Sequence, residues 1–429
     1  MNTSGVHRGV RGASSLLLRV LSLCGLSPGS KPAGSVRVLL SLLAALTVFS
    51  LSEDAHAYSW MIRHTQWACS SCHADPSGGE TLTAFGRFQS AAKLTMDYGG
   101  DPTPGGKAPR SAGFFWGSVA PDDNLLEGDD RILLGGSLRF LTVVKPEEKD
   151  VAAFPMQMDL YGEARLSGFR IGGSIGAGKV EPGSPHVHAA QVTTNQGDEM
   201  NLISRTHYLG YDVNNEILIR AGRLNLPFGV RIPEHVMWVR EATQTDRESD
   251  QQHGIAIAYT GQDFRGEIMG IAGNYQVNPD EFRERGYSGY LEYHLAPSYA
   301  VGLSSLFTVA KADRITNLRE DTQRGAHGIF ARLAPMKELA FLVEGDALTR
   351  TGREFGYTGF AQADLEAVQG LHLMLTGEVL NEGLEGVDQR FGGWFSVNWF
   401  FLPHVDMRVD AVLRQNDDLQ ILSQLHAYL

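Results

Sequence analysis

The feature that most constrains this chain is a two-residue alternation of polar and apolar side chains, which continues from about residue 131 to the C-terminus. Between Leu371 and Val379, for example, leucine, glycine and valine alternate with histidine, methionine, threonine and glutamate. This period is that of a β-strand with one apolar and one polar face. Segments of about ten residues recur without a helical interruption, and about sixteen of them fill this part of the chain. The pattern predicts an all-β fold in which residues 131–429 form an outer-membrane β-barrel of about 16 antiparallel strands.

The connections between these segments alternate in length. Short ones include residues 167–168 and 369–370, and long ones include residues 181–201, 230–252 and 311–323. Short periplasmic turns and longer outer loops are typical of membrane barrels. A secreted β-sandwich is the alternative, in which the polar faces would meet water. In a barrel the polar faces would line a water-filled lumen with the charged residues Glu292, Asp364, Glu366, Glu378, Asp406, Asp410, His294, His372 and Arg408.

The N-terminus has the organisation of a secretory leader. Arginines at positions 8, 11 and 19 precede an apolar run from Val38 to Leu51, and Ala55-His56-Ala57 supplies small residues for cleavage. We expect residues 1–57 to be a signal peptide and the mature chain to begin at Tyr58. An uncleaved anchor is the alternative, but the run has about 14 residues where a spanning helix needs about 20.

A second motif lies just after the leader: Cys69-Ser70-Ser71-Cys72-His73. Two cysteines separated by two residues and followed at once by histidine form the attachment site of a c-type haem. Each thiol can add to one vinyl group on the same edge of the porphyrin, and the histidine then ligates the iron. A short disulfide or a pair of redox-active thiols is the alternative, while zinc would need a second cysteine pair. The motif predicts one covalent haem c bound by Cys69, Cys72 and His73.

The residues around this motif form a short segment, 58–100. Roughly forty residues bury too little apolar surface to fold without a staple, and the haem would supply it. Within the segment, Asp75 to Gly79 predicts a turn, and Thr83 to Leu94 predicts a short helix capped by Thr83. Residues 101–130, rich in Gly, Pro and Asp, are expected to be a linker.

The sequence leaves the second axial position of the iron open. His73 is the proximal ligand, and His64, five residues before Cys69, is a candidate for the distal one. Met96 is the alternative, and its thioether would raise the reduction potential relative to a second histidine. Neither residue ligates the iron if Met96 is only a packing residue and His64 is solvated.

Composition excludes one class of partner and leaves others open. The chain has 37 Lys and Arg against 49 Asp and Glu, so it lacks the basic surface that nucleic acid requires. The acidic balance suits a lumen that attracts cations and suits a solvated surface equally well. His186 and His188, two residues apart in a long loop, could hold a metal ion only with a third ligand.

Taken together, the motifs resemble the fused monohaem cytochrome-porins of iron-oxidising bacteria. The similarity rests on Arg63-His64-Thr65, on the haem motif itself and on Leu82-Thr83-Ala84-Phe85-Gly86-Arg87. Separately, Ala221-Gly222-Arg223-Leu224-Asn225-Leu226-Pro227-Phe228-Gly229 resembles a strand and turn of porins of the phosphate-selective type. The resemblance to the cytochrome-porins implies an outer-membrane electron carrier or ferrous iron oxidase that exchanges electrons between an extracellular donor, acceptor or metal ion and a periplasmic cytochrome. Two alternatives remain: a solute or ion porin whose haem segment is a plug or gate, and a haem enzyme such as a peroxidase.

Overall fold

The computed structural model describes residues 59–63, 68–96, 131–179, 190–193, 195, 200–247, 249–276, 283–313 and 318–429. None of the helices in these ranges is long and apolar enough to cross a membrane. The helical elements are a 3₁₀ turn (Ser59–Arg63), α1 (Cys69–Cys72), α2 (Ala84–Gln89), a π turn (Ser90–Leu94) and α3 (Trp238–Thr243). The strands are β1 (Ile132–Lys145), β2 (Asp150–Leu166), β3 (Phe169–Lys179), β4 (Met200–Ile203), β5 (His207–Asp212), β6 (Ile217–Leu224), β7 (Gln252–Thr260), β8 (Phe264–Gly273), β9 (Arg285–Ala296), β10 (Tyr299–Ala310), β11 (Thr322–Met336), β12 (Leu339–Arg350), β13 (Gly356–Val368), β14 (Leu371–Asn381), β15 (Arg390–Leu402), β16 (Val405–Arg414) and β17 (Gln420–Tyr428).

These strands form one closed sheet. Each strand pairs antiparallel with its neighbours, and β1 pairs with both β2 and β17, so the sheet closes on itself. β4 and β5 both pair with β3, over successive stretches of it, and therefore act as one interrupted strand. The barrel thus has 16 strand positions, which confirms the predicted all-β outer-membrane-type architecture. Closure pairs the backbone donors and acceptors that an edge strand would expose.

The two faces of the sheet are the inverse of those in a soluble protein. On β14, Met374, Thr376 and Glu378 point inward and are buried, whereas Leu375 points outward and is 65% exposed. Every strand carries at least one large apolar side chain that is exposed on the outer face. In water such a surface would be unfavourable by roughly 25 cal/mol for each Å² of apolar area. An exterior of this kind is that of a barrel surrounded by lipid.

The loop asymmetry predicted from the sequence is also confirmed. At one end, strands are joined by turns of two to a few residues, such as 167–168, 337–338 and 369–370. At the other end lie longer connections, of which residues 225–251, between β6 and β7, carry α3. Both residue 132, where β1 begins, and Tyr428, where β17 ends, lie at the short-turn end. We call the two ends the short-turn end and the long-loop end.

The lumen is occupied by two parts of the chain. The 3₁₀ turn places Trp60, Met61 and Ile62 in one apolar cluster with Val230 and Val239 of the 225–251 loop. Inward-facing residues of the barrel wall complete this cluster, among them Leu342, Phe360, Trp394 and Phe400. Met96 ends the described segment at the short-turn end, where its N–H donates to the Phe400 carbonyl (2.9 Å). The core of the molecule is therefore inside the barrel.

A candidate haem site in the barrel lumen

The cysteine motif forms one turn of helix followed by an extended residue. In α1, the N–H of His73 donates to the Cys69 carbonyl (2.9 Å), and His73 then pairs with Leu82 in an isolated β-bridge. The turn is tied to α2 because the Thr83 hydroxyl donates to the Ser71 carbonyl (2.7 Å). The same hydroxyl accepts from the N–H of Gly86 (3.0 Å), which confirms Thr83 as the predicted helix cap.

Two glycines let the backbone approach the motif closely. A Cβ on Gly86 would lie 2.1 Å from the Cys72 carbonyl oxygen, so only glycine allows α2 to cross the motif at this point. Gly78 has a φ of 92° and lies against Cys69, with its Cβ position 3.4 Å from the Cys69 Cβ. The predicted turn at residues 75–79 therefore folds back over the first cysteine.

The two thiols and the imidazole line one cavity of about 480 Å³ inside the barrel. Both cysteines are free thiols, and burial, followed by the neighbouring Cys69, raises the pKa of Cys72 to about 12. Cys72 is therefore a neutral thiol, and the environment does not activate it as a redox thiolate. Burial and the nearby Arg247 lower the pKa of His73 to about 4, which keeps its imidazole neutral and able to ligate a metal.

A barrel residue that the sequence analysis missed contacts the motif. Arg265, at the short-turn end of β8, has its Nη1 2.9 Å from the Sγ of Cys69. The guanidinium is held in place by Glu292 of β9, whose Oε1 lies 2.6 Å from its Nε. Positions 69 and 265 are far apart in sequence, so only the barrel register could have indicated this contact.

A buried polar cluster fixes the other side of the turn. The Asn225 amide donates to Asp75 (3.2 Å) and to Glu80 (3.0 Å), and Glu80 also accepts from the Thr206 hydroxyl (2.8 Å). Burial, together with the Asp75 carboxylate, raises the pKa of Glu80 to about 7. Burial opposes ionisation of Asp75, but the guanidinium groups of Arg220 and Arg231, together with hydrogen bonds from Ser77, hold the pKa of Asp75 below its usual value.

Of the two predicted distal ligands, only Met96 belongs to the described residues, and it does not line this cavity. His64 lies outside the described residues, as do residues 1–57, the linker 101–130, and the loop histidines His186 and His188. Met96 is half-buried at the short-turn end and is not among the residues that line the cavity. Met61, which the sequence analysis did not select, does line it.

The lumen contains the predicted carboxylates, but it is not an acidic channel. Glu292, Asp364 and Glu378 face inward and are buried, and each has a buried or half-buried arginine beside it. The shortest contacts are Arg332–Glu292 (2.6 Å), Arg63–Asp364 (2.5 Å), Arg414–Glu378 (2.7 Å) and Arg408–Asp410 (2.8 Å). Asp364 and Asp406 also pair with His372 and His426, each at 3.0 Å. Among the described residues, no group of three or more His, Cys, Asp or Glu side chains could hold a metal ion.

The fold and the site together define a porin-like β-barrel whose lumen holds a short segment with two thiols and a histidine at one cavity. No family model matches the chain, and no curated protein matches it in sequence.

Solved structures of outer-membrane proteins do share the fold. OmpT of Vibrio cholerae, folded in vitro in its trimer form, has a TM-score of 0.53 at 11% identity, over 70% of this chain and 99% of that one. Outer-membrane expressed OmpT of Vibrio cholerae has a TM-score of 0.51 at 10% identity, over 71% of this chain and 100% of that one. An anion-selective porin from Comamonas acidovorans has a TM-score of 0.47 at 12% identity, over 70% of this chain and 99% of that one. The likeness to OmpT shows that the barrel has the fold of outer-membrane proteins.

Proposed function

We propose that this chain is a Gram-negative outer-membrane protein that holds one covalent haem c inside a porin-like barrel. It passes single electrons between a donor or acceptor outside the cell and a periplasmic cytochrome. The observation that carries the proposal is that Cys69, Cys72 and His73 line one cavity of about 480 Å³ within the lumen. That volume lies within the range of roughly 300–1,000 Å³ of cofactor and ligand pockets.

The residues at the cavity fit a haem. Cys69 and Cys72 offer two thiols for thioether bonds, and the neutral imidazole of His73 offers a nitrogen to the iron. A bound haem would supply a one-electron ferric–ferrous couple. Its two carboxylates would need partners, and the guanidinium groups of Arg139, Arg231 and Arg247 line the same cavity.

The position of the segment supports a periplasmic electron-transfer partner. Ser70 lies near Thr260, next to the short turn after β7, and Ser90 contacts Tyr428 at the end of β17 (2.6 Å). The haem motif is thus near the short-turn end, which faces the periplasm in outer-membrane barrels. Ferrous iron as the external donor rests on the family resemblance alone, because the arginines of the lumen balance its carboxylates.

The double variant Cys69→Ala, Cys72→Ala tests the proposal. We expect loss of covalent haem on a denaturing gel, loss of the low-spin visible spectrum, and loss of electron transfer to a periplasmic cytochrome. The matched control is Ser70→Ala, Ser71→Ala, in the same helical turn, which should retain the haem. Electron transfer that survived in the cysteine variant would overturn the proposal.

The second candidate is a solute or ion porin in which residues 59–96 are a plug or gate. The barrel fold shared with OmpT and the cavity that the described residues line inside the lumen support it. This function predicts porin-sized conductance in planar bilayers that is the same for the wild type and for the double cysteine variant. The electron-transfer function predicts small conductance and a redox activity that depends on the haem.

A further inference from the structure

Cys69 lines two separate spaces inside the barrel. The first is the cavity of about 480 Å³ that it shares with Cys72 and His73. The second has a volume of about 20 Å³, enough for roughly one water molecule, and Arg265 and Tyr290 line it. Arg265 does not line the first cavity. Its guanidinium therefore reaches the haem motif from outside the space that we assign to the cofactor.

The contact between Arg265 and Cys69 does not depend on a free thiol. The Nη1 of Arg265 lies 2.9 Å from the Sγ of Cys69. A thioether sulfur keeps its lone pairs and is a weak acceptor, so the guanidinium N–H can still donate to it after the cysteine has bonded to a vinyl carbon. A guanidinium is charged at every physiological pH. The first cysteine of the motif therefore has a permanent cation against its sulfur.

Glu292 and Arg332 fix the position of this guanidinium. Arg265 pairs with Glu292 across β8 and β9, and the Glu292 Oε1 lies 2.6 Å from the Arg265 Nε. Arg332 of β11 binds the same carboxylate with two nitrogens, its Nε at 2.8 Å from Oε2 and its Nη2 at 2.6 Å from Oε1. All three side chains are buried. Because the carboxylate holds the Nε of Arg265, its Nη1 remains directed at Cys69.

The cluster that these three side chains form has a net positive charge. It contains the guanidinium groups of Arg265 and Arg332 but only one carboxylate, that of Glu292. The Nε2 of His294 lies 3.2 Å from the same carboxylate, and protonation of this imidazole would only add positive charge. One positive charge of the cluster therefore has no carboxylate partner within it.

Nearby carboxylates do not cancel this charge. Glu267, the next inward-facing residue of β8, lies 2.5 Å from Arg220, and Asp75 lies 3.4 Å from the same guanidinium. The guanidinium of Arg231 is a second positive charge beside Asp75 and lowers its pKa further. These two carboxylates thus face two guanidinium groups. Solvent screens a buried charge weakly, so the charge at Arg265 acts over several ångströms.

We infer that Arg265 is a positioning residue that acts through Cys69 to raise the reduction potential of the bound haem. The inference rests on the proposed function and adds a residue that sets how readily the site accepts an electron. Reduction adds one electron and leaves every bond in place, so the oxidised haem has one positive charge more than the reduced haem. A fixed cation in a buried position therefore disfavours the oxidised form.

The test is a redox titration of the visible spectrum of the haem-loaded full chain in detergent. Arg265→Gln removes the charge but keeps a polar side chain, whereas Arg265→Lys keeps the charge. For Arg265→Gln we expect the ratio of oxidised to reduced haem at a fixed potential to rise about tenfold, which is a downward shift of about 59 mV for a one-electron couple. Arg265→Lys should remain close to the wild type. Glu292→Gln should shift the potential upward, because it leaves both guanidinium groups without a carboxylate.

Two further variants serve as controls. Arg332→Gln removes one charge of the cluster but no contact with Cys69, so it should lower the potential less than Arg265→Gln does. Arg390→Gln removes a half-buried arginine that pairs with Glu382 at 3.1 Å near the long-loop end, and it should leave the potential unchanged. Covalent haem on a denaturing gel and an unchanged low-spin spectrum show that a variant retains the site.

An Arg265→Gln potential equal to that of the wild type would overturn the inference. An equal fall in Arg265→Gln and Arg265→Lys would also overturn it, because it would indicate that the shape of the side chain matters and its charge does not. If Arg265→Gln does not retain its haem, the inference stands only if Glu292→Gln shifts the potential upward and Arg332→Gln shifts it downward. A wild-type chain without covalent haem on the gel would instead refute the proposed function, and the inference would fall with it.

Discussion

The two sides of the lumen use the same strand pattern for different purposes. On the side of β11 to β15, the alternate inward residues meet the 3₁₀ turn and the inward loop, and they form a dry core with buried ion pairs. On the side of β16, β17 and β1, the same alternation lines a cavity with both apolar and charged side chains. An inward position in the barrel therefore does not by itself define the environment of a side chain. That environment depends on whether the 3₁₀ turn and the 225–251 loop pack against the side chain.

The largest expected effect comes from breaking the deepest contact on the packed side. Arg63 and Asp364 are both fully buried and 2.5 Å apart. Asp364→Asn leaves the guanidinium with Glu366 at 3.6 Å as its remaining carboxylate, so we expect a loss of about 3–5 kcal/mol in the free energy of unfolding. Urea titration in lipid, together with protease sensitivity of residues 59–96, measures it.

Glu148→Gln is the control for this change, because its partner Lys145 is 3.0 Å away on the exposed long-loop side. That variant should be indistinguishable from wild type. Equal stability of Asp364→Asn and wild type would show that the segment is not anchored by this pair.

The next effect tests whether the packed side behaves as a protein core. The Trp60 ring lies 4.2 Å from that of His372, between centroids, and the residue is 2% exposed. Trp60→Ala should cost about 3–4 kcal/mol because it leaves a cavity that the barrel wall cannot close. Trp399→Ala removes the same side chain from the outer face, where Trp399 is 41% exposed, and should cost much less. Similar losses of stability for the two variants would contradict the packed core.

A third prediction concerns pH and the polar cluster beside the haem motif. Burial raises the pKa of Glu80 from 4.5 to about 7, so the folded state keeps a proton that the unfolded state has lost. The contribution of Glu80 to stability should therefore be fully present below about pH 4.5 and fall by about 3 kcal/mol as the pH rises to about 7. The difference in the free energy of unfolding between wild type and Glu80→Gln, measured between pH 4 and 8, isolates this contribution from that of other titrating groups such as His73. A difference that does not change with pH would contradict the prediction.

The smallest expected effect is the difference between the same substitution, leucine to alanine, made on each of the two sides of the lumen. Leu342→Ala on β12 removes a side chain that is 1% exposed, and we expect a loss of about 2–3 kcal/mol. Leu422→Ala on β17 removes a half-buried side chain that lines the cavity, and we expect a loss of about 1 kcal/mol. Paired urea titrations measure the difference, and equal losses for the two variants would show that the two sides of the lumen are packed alike.

Local sequence signals were sufficient for the elements that depend on neighbouring residues. The Thr83 cap is made within three residues, and the short turns, such as 369–370, follow directly from breaks in the alternation. The same alternation predicts an apolar exterior, and Leu375 illustrates it. The cap, the turns and the apolar face each depend on residues a few positions apart, so the sequence predicts them without knowledge of the rest of the fold.

The sequence by itself determined the closed antiparallel barrel, because a period of two with apolar outer residues has no other way to satisfy its backbone in lipid. It also predicts the chemistry that we propose for Cys69, Cys72 and His73, because their spacing is that of a haem c attachment site. Only the tertiary structure decided that this motif lies inside the lumen, that Arg265 contacts Cys69, and that a cavity lies between the motif and the wall formed by β1, β16 and β17. These features join residues far apart in the chain, and they depend on barrel register and on how much volume the inserted segment fills.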